Sequence, residues 1–368
     1  MLLILLCLFI AVVIIQFLYY IVVFGKFSFA KPQTATLKKI PISVIVCAKN
    51  EEENVKNFIP LLAEQNYPDF EIVLIDDASS DDTLEIFEAF EKQYSNVKLV
   101  KVENNEAFWG NKKFALTLGI KAAKHEYLLF TDADCYPTSK EWITSMSSQF
   151  TMQKTIVLGY GAYEKIANSF FNKIIRFETL MTATQYFGWA KIGKPYMGVG
   201  RNLTYKREEF FNVRGFMDHM KIRSGDDDLF INQAAHSKNT TICYIPDSFT
   251  YSKPKTSFKE WFTQKRRHVS TAKNYKIFDK NQLGLFYVSQ ILFFIVPIIL
   301  LAFQFQWIAV VVLIGFRYIF AWITMGFAAG KLKEKDVMYW FPIIEIILIV
   351  TQLNVLISNT FSKPVHWK

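Results

Sequence analysis

The sequence predicts an α/β domain built on a parallel sheet, with one membrane-spanning helix before it and about three after it. Three observations carry this expectation. Short β-branched runs ending in polar residues alternate with helical stretches through the middle of the 368-residue chain. One apolar strand, Tyr127-Leu-Leu-Phe-Thr, runs straight into Asp132-Ala-Asp134. Four further stretches are apolar over the ~20 residues that a helix needs to cross a bilayer.

Residues 1–24 carry no charge, and Gln16 is their one strongly polar side chain. A signal peptide would open on a basic region and end in small residues before its cut site. Neither feature is present, so a retained anchor is expected. A basic linker, residues 25–40, follows with Lys26, Lys31, Lys38 and Lys39.

Residues 41–252 have the size of one α/β domain. Ile42–Cys47 and Glu71–Ile75 read as strands, with a helix from about Glu52 to Gln65 between them. Strand, helix, strand implies a parallel sheet, on which ligands sit beyond the carboxyl ends of the strands. Polar loops collect at those ends: Lys49-Asn50-Glu51, Asp76-Asp77 through Thr83, and Asp132-Ala-Asp134. Together they define a nucleotide crevice. Asp76 or Asp77 is expected to accept hydrogen bonds from a base or ribose, while Ser80 to Asp82 cap the next helix. Asp132 and Asp134 can converge on one ion in the turn after a strand, and hard oxygen ligands suit Mg²⁺ or Mn²⁺. No Gly-x-Gly-x-x-Gly follows the first strand and no Gly-Lys-Ser/Thr occurs, which argues against dinucleotide oxidoreduction and P-loop hydrolysis.

Residues 253–282 place Phe258, Trp261 and Phe262 at helical spacing beside Gln264-Lys-Arg-Arg267, an expected interfacial amphipathic helix. Three spans within 283–358 and a tail, 359–368, complete the chain. Arg317 and Glu345 lie mid-span, where lone charges are costly, so these two helices are expected to pack together and pair them. Four spans put Lys331, Lys333 and Lys335 on the same side as the linker lysines, the cytoplasmic side of an inner membrane; Lys363 and Lys368 then fall outside, against the positive-inside rule. The net charge of +9 is concentrated at segment edges and between Lys253 and Lys280. That placement favours lipid headgroups or a diphosphate over nucleic acid. Cys7, Cys47, Cys135 and Cys243 show no paired spacing, which suits a reducing compartment.

Seven motifs in order extend this reading: Pro41-Ile-Ser-Val-Ile-Val-Cys-Ala-Lys-Asn-Glu51, Ile75-Asp-Asp-Ala-Ser-Ser-Asp-Asp-Thr83, Gly110-Asn-Lys-Lys-Phe-Ala-Leu116, Thr131-Asp-Ala-Asp134, Gly200-Arg-Asn-Leu-Thr-Tyr205, Ser224-Gly-Asp-Asp-Asp-Leu229 and Gln264-Lys-Arg-Arg267. The pattern resembles the family two, GT-A fold, inverting glycosyltransferases, among them cellulose, chitin, hyaluronan and poly-N-acetylglucosamine synthases. The resemblance implies a Rossmann-like nucleotide-sugar-binding domain. The implied reaction moves a sugar from a nucleotide-sugar donor, expected to be a UDP-sugar, to a polysaccharide or lipid acceptor at the membrane, with export or assembly proteins as candidate partners. It implies Asp132 as a donor-binding residue and Asp134 as the ligand of a divalent metal. The catalytic base falls at Asp226 or Asp227; the register that favours Asp226 leaves Gly225 where the family carries Glu. Asn50, Glu51, Asp76, Asp77, Lys113, Gln264 and Arg267 are the further donor-side candidates, and Gly200, Arg201 and Asn202 are expected on the acceptor side. His268 stands where the Gln-x-x-Arg-Trp signature has Trp. A single sugar placed on a small lipid, a sterol, carotenoid or ceramide-like alcohol, is the narrower form of the same reading.

Overall fold

A computed structural model describes residues 1–38, 40–103, 112–222 and 224–362. Lys39, Trp109, Gly110, Lys363, His366 and Lys368 lie outside the described residues. Ten strands form two sheets: β1 Ile42–Ala48, β2 Phe70–Asp76, β3 Val97–Lys101, β4 Tyr127–Asp132, β5 Cys135–Pro137, β6 Ile156–Leu158, β7 Gly161–Tyr163, β8 Leu203–Lys206, β9 Thr240–Ile242 and β10 Thr250–Ser252. The main sheet runs β3-β2-β1-β4-β8-β6-β9, and β5-β10-β7 form a small second sheet. β3, β2, β1 and β4 are mutually parallel, while β8 is antiparallel to both β4 and β6.

β1 and β2 are buried on both faces because helices cover each side, which is why they read as unbroken apolar runs. The helices α2 Glu52–Ala63, α3 Thr83–Gln93 and α4 Lys112–Ala122 make the crossovers. α4 lies very close to the sheet: a Cβ on Gly119 would come within 2.1 Å of Ile75 Cδ1, so only glycine fits there. The strand order reverses between β1 and β4, and the register sets Cys47 beside Asp132 and Ala48 beside Asp76. The polar loops after β1, β2 and β4 therefore share one edge at the topological switch point, where a ligand crevice opens.

Two long helices carry this domain onto the membrane part: α5 Phe170–Lys191, and, after the short α6 Asp228–Ala234, the helix α7 Phe258–Thr271. Among the described residues, four helices are long and apolar enough to cross a membrane: α1 Leu2–Ser28, α8 Ile277–Ala302, α9 Trp307–Lys331, and the segment Lys335–Phe361, whose α-helical part is α10 Phe341–Phe361. α1 is π-helical over Leu18–Phe24.

Arg317 and Glu345 do pair. Arg317 Nη1 donates to Glu345 Oε2 at 2.8 Å and Nη2 to Oε1. Arg317 Nε also donates to Gln16 Oε1 at 2.6 Å, and Gln16 Nε2 donates to the Ser289 carbonyl at 3.0 Å. A polar side chain from the first span thus completes the solvation of a buried ion pair, which would otherwise cost several kcal/mol per ion.

Candidate active site

Asp132 ends β4 and the exposed Asp134 follows in the turn; both line a cleft of about 580 Å³. The ligand atoms of Asp132, Asp134 and Cys135 lie within 4.8 Å of one another. Burial, then the charges of Asp134 and Asp132, holds the Cys135 thiol far above its usual pKa, and Sγ donates to Asp134 Oδ1 at 3.3 Å. What remains as a donor set is two hard carboxylates. Enclosure by the cleft walls, then the Asp132 charge, pushes the Asp134 pKa up. This donor set fits Mg²⁺ or Mn²⁺, and a bound cation would relieve that repulsion.

Lys112, at the start of α4, spans the cleft floor: its Nζ lies 2.6 Å from Asp132 Oδ1 and 3.2 Å from Asp226 Oδ2. Burial alone would lower its pKa, but Asp132 and Asp226 outweigh that and hold it well above the lysine range. Lys112 and Lys113 are both donor-side candidates from the sequence, and they point to different places. Lys113 Nζ turns away to donate to the carbonyls of His219, Ile222 and Ser224 at 2.9, 2.8 and 2.8 Å, so it anchors the loop that leads to Asp226.

The three aspartates before α6 do different jobs. Asp227 Oδ1 accepts from the Asp228 N–H and Oδ2 from the Gly200 N–H, each at 2.7 Å. Asp228 Oδ1 accepts from the Leu229 N–H at 2.7 Å, and its Oδ2 accepts from Tyr275 Oη at 2.7 Å and from Thr271 Oγ1. Asp226 pairs with a side chain, the Lys112 ammonium; burial would raise its pKa, but Lys112 outweighs it and keeps Asp226 below the usual carboxylate range. Burial, then the charges of Asp226 and Asp228, pushes Asp227 up to about 7. Gly225 takes φ +93°, and a Cβ there would fall 2.5 Å from Leu229 Cδ1. The loop therefore excludes a glutamate at this position.

From α7, Gln264, Arg267 and His268 line the same cleft. Gln264 Oε1 is buried with no hydrogen-bond partner among the described residues. His268 is held well below the usual histidine pKa by burial, then by Lys265 and Arg267, so it is neutral.

Two other sets of candidates resolve differently from the sequence reading. Lys49 and Glu51 line the cleft, whereas Asn50, Asp76 and Asp77 are not among its lining residues. Asn50 Oδ1 accepts from Ser80 N at 2.8 Å, and Asp76 accepts from Ser79 N at 3.3 Å. Within the Ser80 to Asp82 stretch expected to cap the next helix, Asp81 Oδ1 accepts from the Thr83 N–H at 3.1 Å. On the other wall, Gly200 and Arg201 line the cleft, and the Arg201 guanidinium lies 4.4 Å from the Tyr163 ring centroid. Asn202 is fully buried beneath them; its Nδ2 donates to the Tyr160 and Ser248 carbonyls at 2.9 and 2.6 Å, and its Oδ1 accepts from Trp142 Nε1 at 3.1 Å. It pins the loop. Trp142 is fully buried, and Trp189 packs on Tyr19 and Phe278.

Residues 43–228, just over half of the chain, match the family described as Glycosyl transferase family 2, and residues 149–344 match Glycosyl transferase family group 2. The chain belongs to glycosyl transferase family 2. Among solved structures this family 2 protein is similar to the mannosyltransferase PcManGT from Pyrobaculum calidifontis in complex with GDP-Man and Mn²⁺. The TM-score is 0.58 at 16% identity, over 94% of this chain and 99% of that one, a likeness of GT-A fold. It is 39% identical over 93 residues to the poly-beta-1,6-N-acetyl-D-glucosamine synthase of Staphylococcus epidermidis, which is 25% of this chain and 21% of that protein. It is 32% identical over 120 residues to the poly(ribitol-phosphate) beta-glucosyltransferase of Bacillus spizizenii, 32% of this chain and 18% of that protein. The matched part spans about a fifth of the length of these two relatives.

Proposed function

We propose that this chain transfers a hexosyl or N-acetylhexosaminyl group, with inversion, from a nucleotide-diphosphate sugar, a UDP-sugar, to a hydroxyl acceptor at the cytoplasmic face of the inner membrane. The acceptor belongs to a cell-envelope polysaccharide or lipid. The observation that carries this reading is the bridge of Lys112 between Asp132 and Asp226, in a cleft that Asp134, Gln264 and Arg267 also line. It sets a donor-side carboxylate and a candidate base one ammonium apart.

Asp134, with Asp132, would hold the divalent cation, which when bound supplies positive charge for the departing diphosphate. Arg267 offers a planar fork of donors to the same diphosphate, and Gln264 Oε1 offers an acceptor for a donor hydroxyl. Asp226 takes the acceptor proton. Lys112 keeps it ionised at neutral pH, and its carboxylate faces that ammonium, whereas those of Asp227 and Asp228 accept from the backbone N–H groups of Gly200, Asp228 and Leu229. Arg201 closes the acceptor side of the cleft, over Tyr163.

The test is release of nucleoside diphosphate by the full-length protein in phospholipid membranes with Mn²⁺, across a panel of UDP- and GDP-sugars. One donor should turn over, with the release lost in EDTA and in a folded Asp134→Asn variant. Turnover of no donor, or undiminished turnover by Asp134→Asn, overturns the reading.

A further inference from the structure

The cleft does not end at the carboxylates. Its wall continues through Phe286 and Tyr287 of α8 and Leu348, Ile349, Gln352 and Leu356 of α10, so one cavity joins Asp226 to the inner faces of two apolar helices. A nucleotide sugar is polar throughout and has no use for such a wall. Something else that reaches Asp226 must be apolar along most of its length.

The course of α10 says from which side it comes. Just before α10, Arg176 of α5 donates from Nε to Glu334 Oε2 at 2.8 Å and from Nη1 to Asp336 Oδ2 at 2.8 Å. At its far end, Arg266 of α7, the neighbour of Arg267, donates to Asn359 Oδ1 at 2.9 Å and to the Ser362 carbonyl at 2.7 Å, and Asn359 Nδ2 donates back to the Arg266 carbonyl at 2.9 Å. α5 and α7 are themselves tied by the Lys265–Glu178 ion pair. Both ends of α10 are thus held by helices of the catalytic side. α10 therefore lies against these helices and roofs the apolar half of the cleft.

We propose that the acceptor is a membrane lipid carrying a free hydroxyl, drawn from the leaflet beside the catalytic domain, with its tail in the slot between α8 and α10 and its hydroxyl at Asp226. This rests on the glycosyl-transfer reading and narrows its acceptor. A growing polysaccharide would need a polar path through the bilayer, whereas the slot is walled by Phe286, Leu348, Ile349 and Leu356. An alcohol needs the base that Asp226 provides, whereas a lipid phosphate is already ionised and does not. In the transfer, the hydroxyl oxygen forms a bond to the anomeric carbon. The bond from that carbon to the diphosphate breaks, its electron pair leaves with the nucleoside diphosphate, and the hydroxyl proton passes to Asp226.

The full-length protein in phosphatidylcholine vesicles, with Mn²⁺ and the labelled donor that it turns over, is offered dioleoylglycerol, cholesterol, a long-chain prenol, the corresponding prenyl phosphate, or a soluble oligosaccharide. Label is expected in organic-extractable product with at least one of the alcohols. Leu348→Trp, and Gln352→Trp at a more accessible point of the slot, should lower that product roughly tenfold or more, as filling a pocket does. Ile346→Trp, on the outward face of α10, should leave it unchanged. Label only in the prenyl phosphate or in soluble or polymeric material, or slot variants as active as the native protein, overturns the lipid assignment while the glycosyl-transfer reading stands. Absence of nucleoside diphosphate release from every donor overturns both.

Discussion

Asp227 gives the most direct physical test of the acidic loop. Its folded pKa of about 7, against 3.8 for a free aspartate, means that the folded state binds its proton more tightly than the unfolded chain does. A carboxyl group raised in the fold stabilises below its folded pKa and loses that contribution as pH rises from the unfolded value through the folded one. Between pH 5 and pH 8 the native protein should therefore lose roughly 2–3 kcal/mol through this residue, at 1.36 kcal/mol per unit. Asp227→Asn fixes a neutral group of the same shape that still accepts one backbone N–H. At pH 5, where Asp227 is protonated in the fold but ionised in the unfolded chain, the variant should already be the more stable by roughly 1–2 kcal/mol, less up to one hydrogen bond's worth. At pH 8 its advantage should have grown by roughly 2–3 kcal/mol, about 3–4 °C in Tm for a chain of this length. Thermal unfolding of the full-length proteins in detergent with EDTA at both pH values measures this. A stability difference that is the same at pH 5 and pH 8 would refute the crowding of charge assigned to Asp226, Asp227 and Asp228.

Asp226→Asn should reduce transfer by roughly 10²-fold or more while nucleotide binding persists, as removal of a positioned base does; if Asp227→Asn is the inactive variant and Asp226→Asn is not, the base is one residue further on. Arg267→Lys should be nearly as damaging as Arg267→Ala in nucleoside diphosphate release, because an ammonium cannot reproduce the planar fork; a near-native Lys variant would remove Arg267 from the diphosphate. In a Cys7→Ser background, Ser362→Cys should react with an impermeant maleimide from the same side of sealed vesicles as Lys333→Cys. Labelling from opposite sides would show that α10 crosses the membrane.

The parts of the site that lie on strand ends were legible in the sequence. β1, β2 and β4 are apolar runs that stop at Ala48, Asp76 and Asp132, and strand order alone brings those ends to one edge. What could not be read is anything set by phase or by distant contacts. Lys112 and Lys113 are neighbours at the start of one helix, about 100° apart around its axis; which of them faces the sheet edge is decided by how α4 packs through Gly119. Asn202 sits between two cleft residues in sequence, yet its partners Tyr160, Ser248 and Trp142 are tens of residues away, so nothing local marks it as structural. Gln16 was visible as the polar exception in an apolar span, and mid-span Arg317 was the signal that it had a partner to find.

α10 is one of the four candidate spans, and its end is also tied to the helix that lines the cleft. Its composition satisfies every requirement for crossing, and a fourth crossing would carry the chain after it, with Lys363 and Lys368, away from Lys26, Lys31, Lys331 and Lys333. The positive-inside rule disfavours that arrangement. Arg266 holds Asn359 and Ser362 beside the helix that bears Gln264 and Arg267. The same contact ties acceptor entry to catalysis. Any change that lets the end of α10 detach from Arg266 opens the slot roof and shifts the helix that holds Arg267. Damage at Arg266 should therefore raise the KM for the acceptor and lower kcat together, although Arg266 itself touches neither the donor-side carboxylates nor the base.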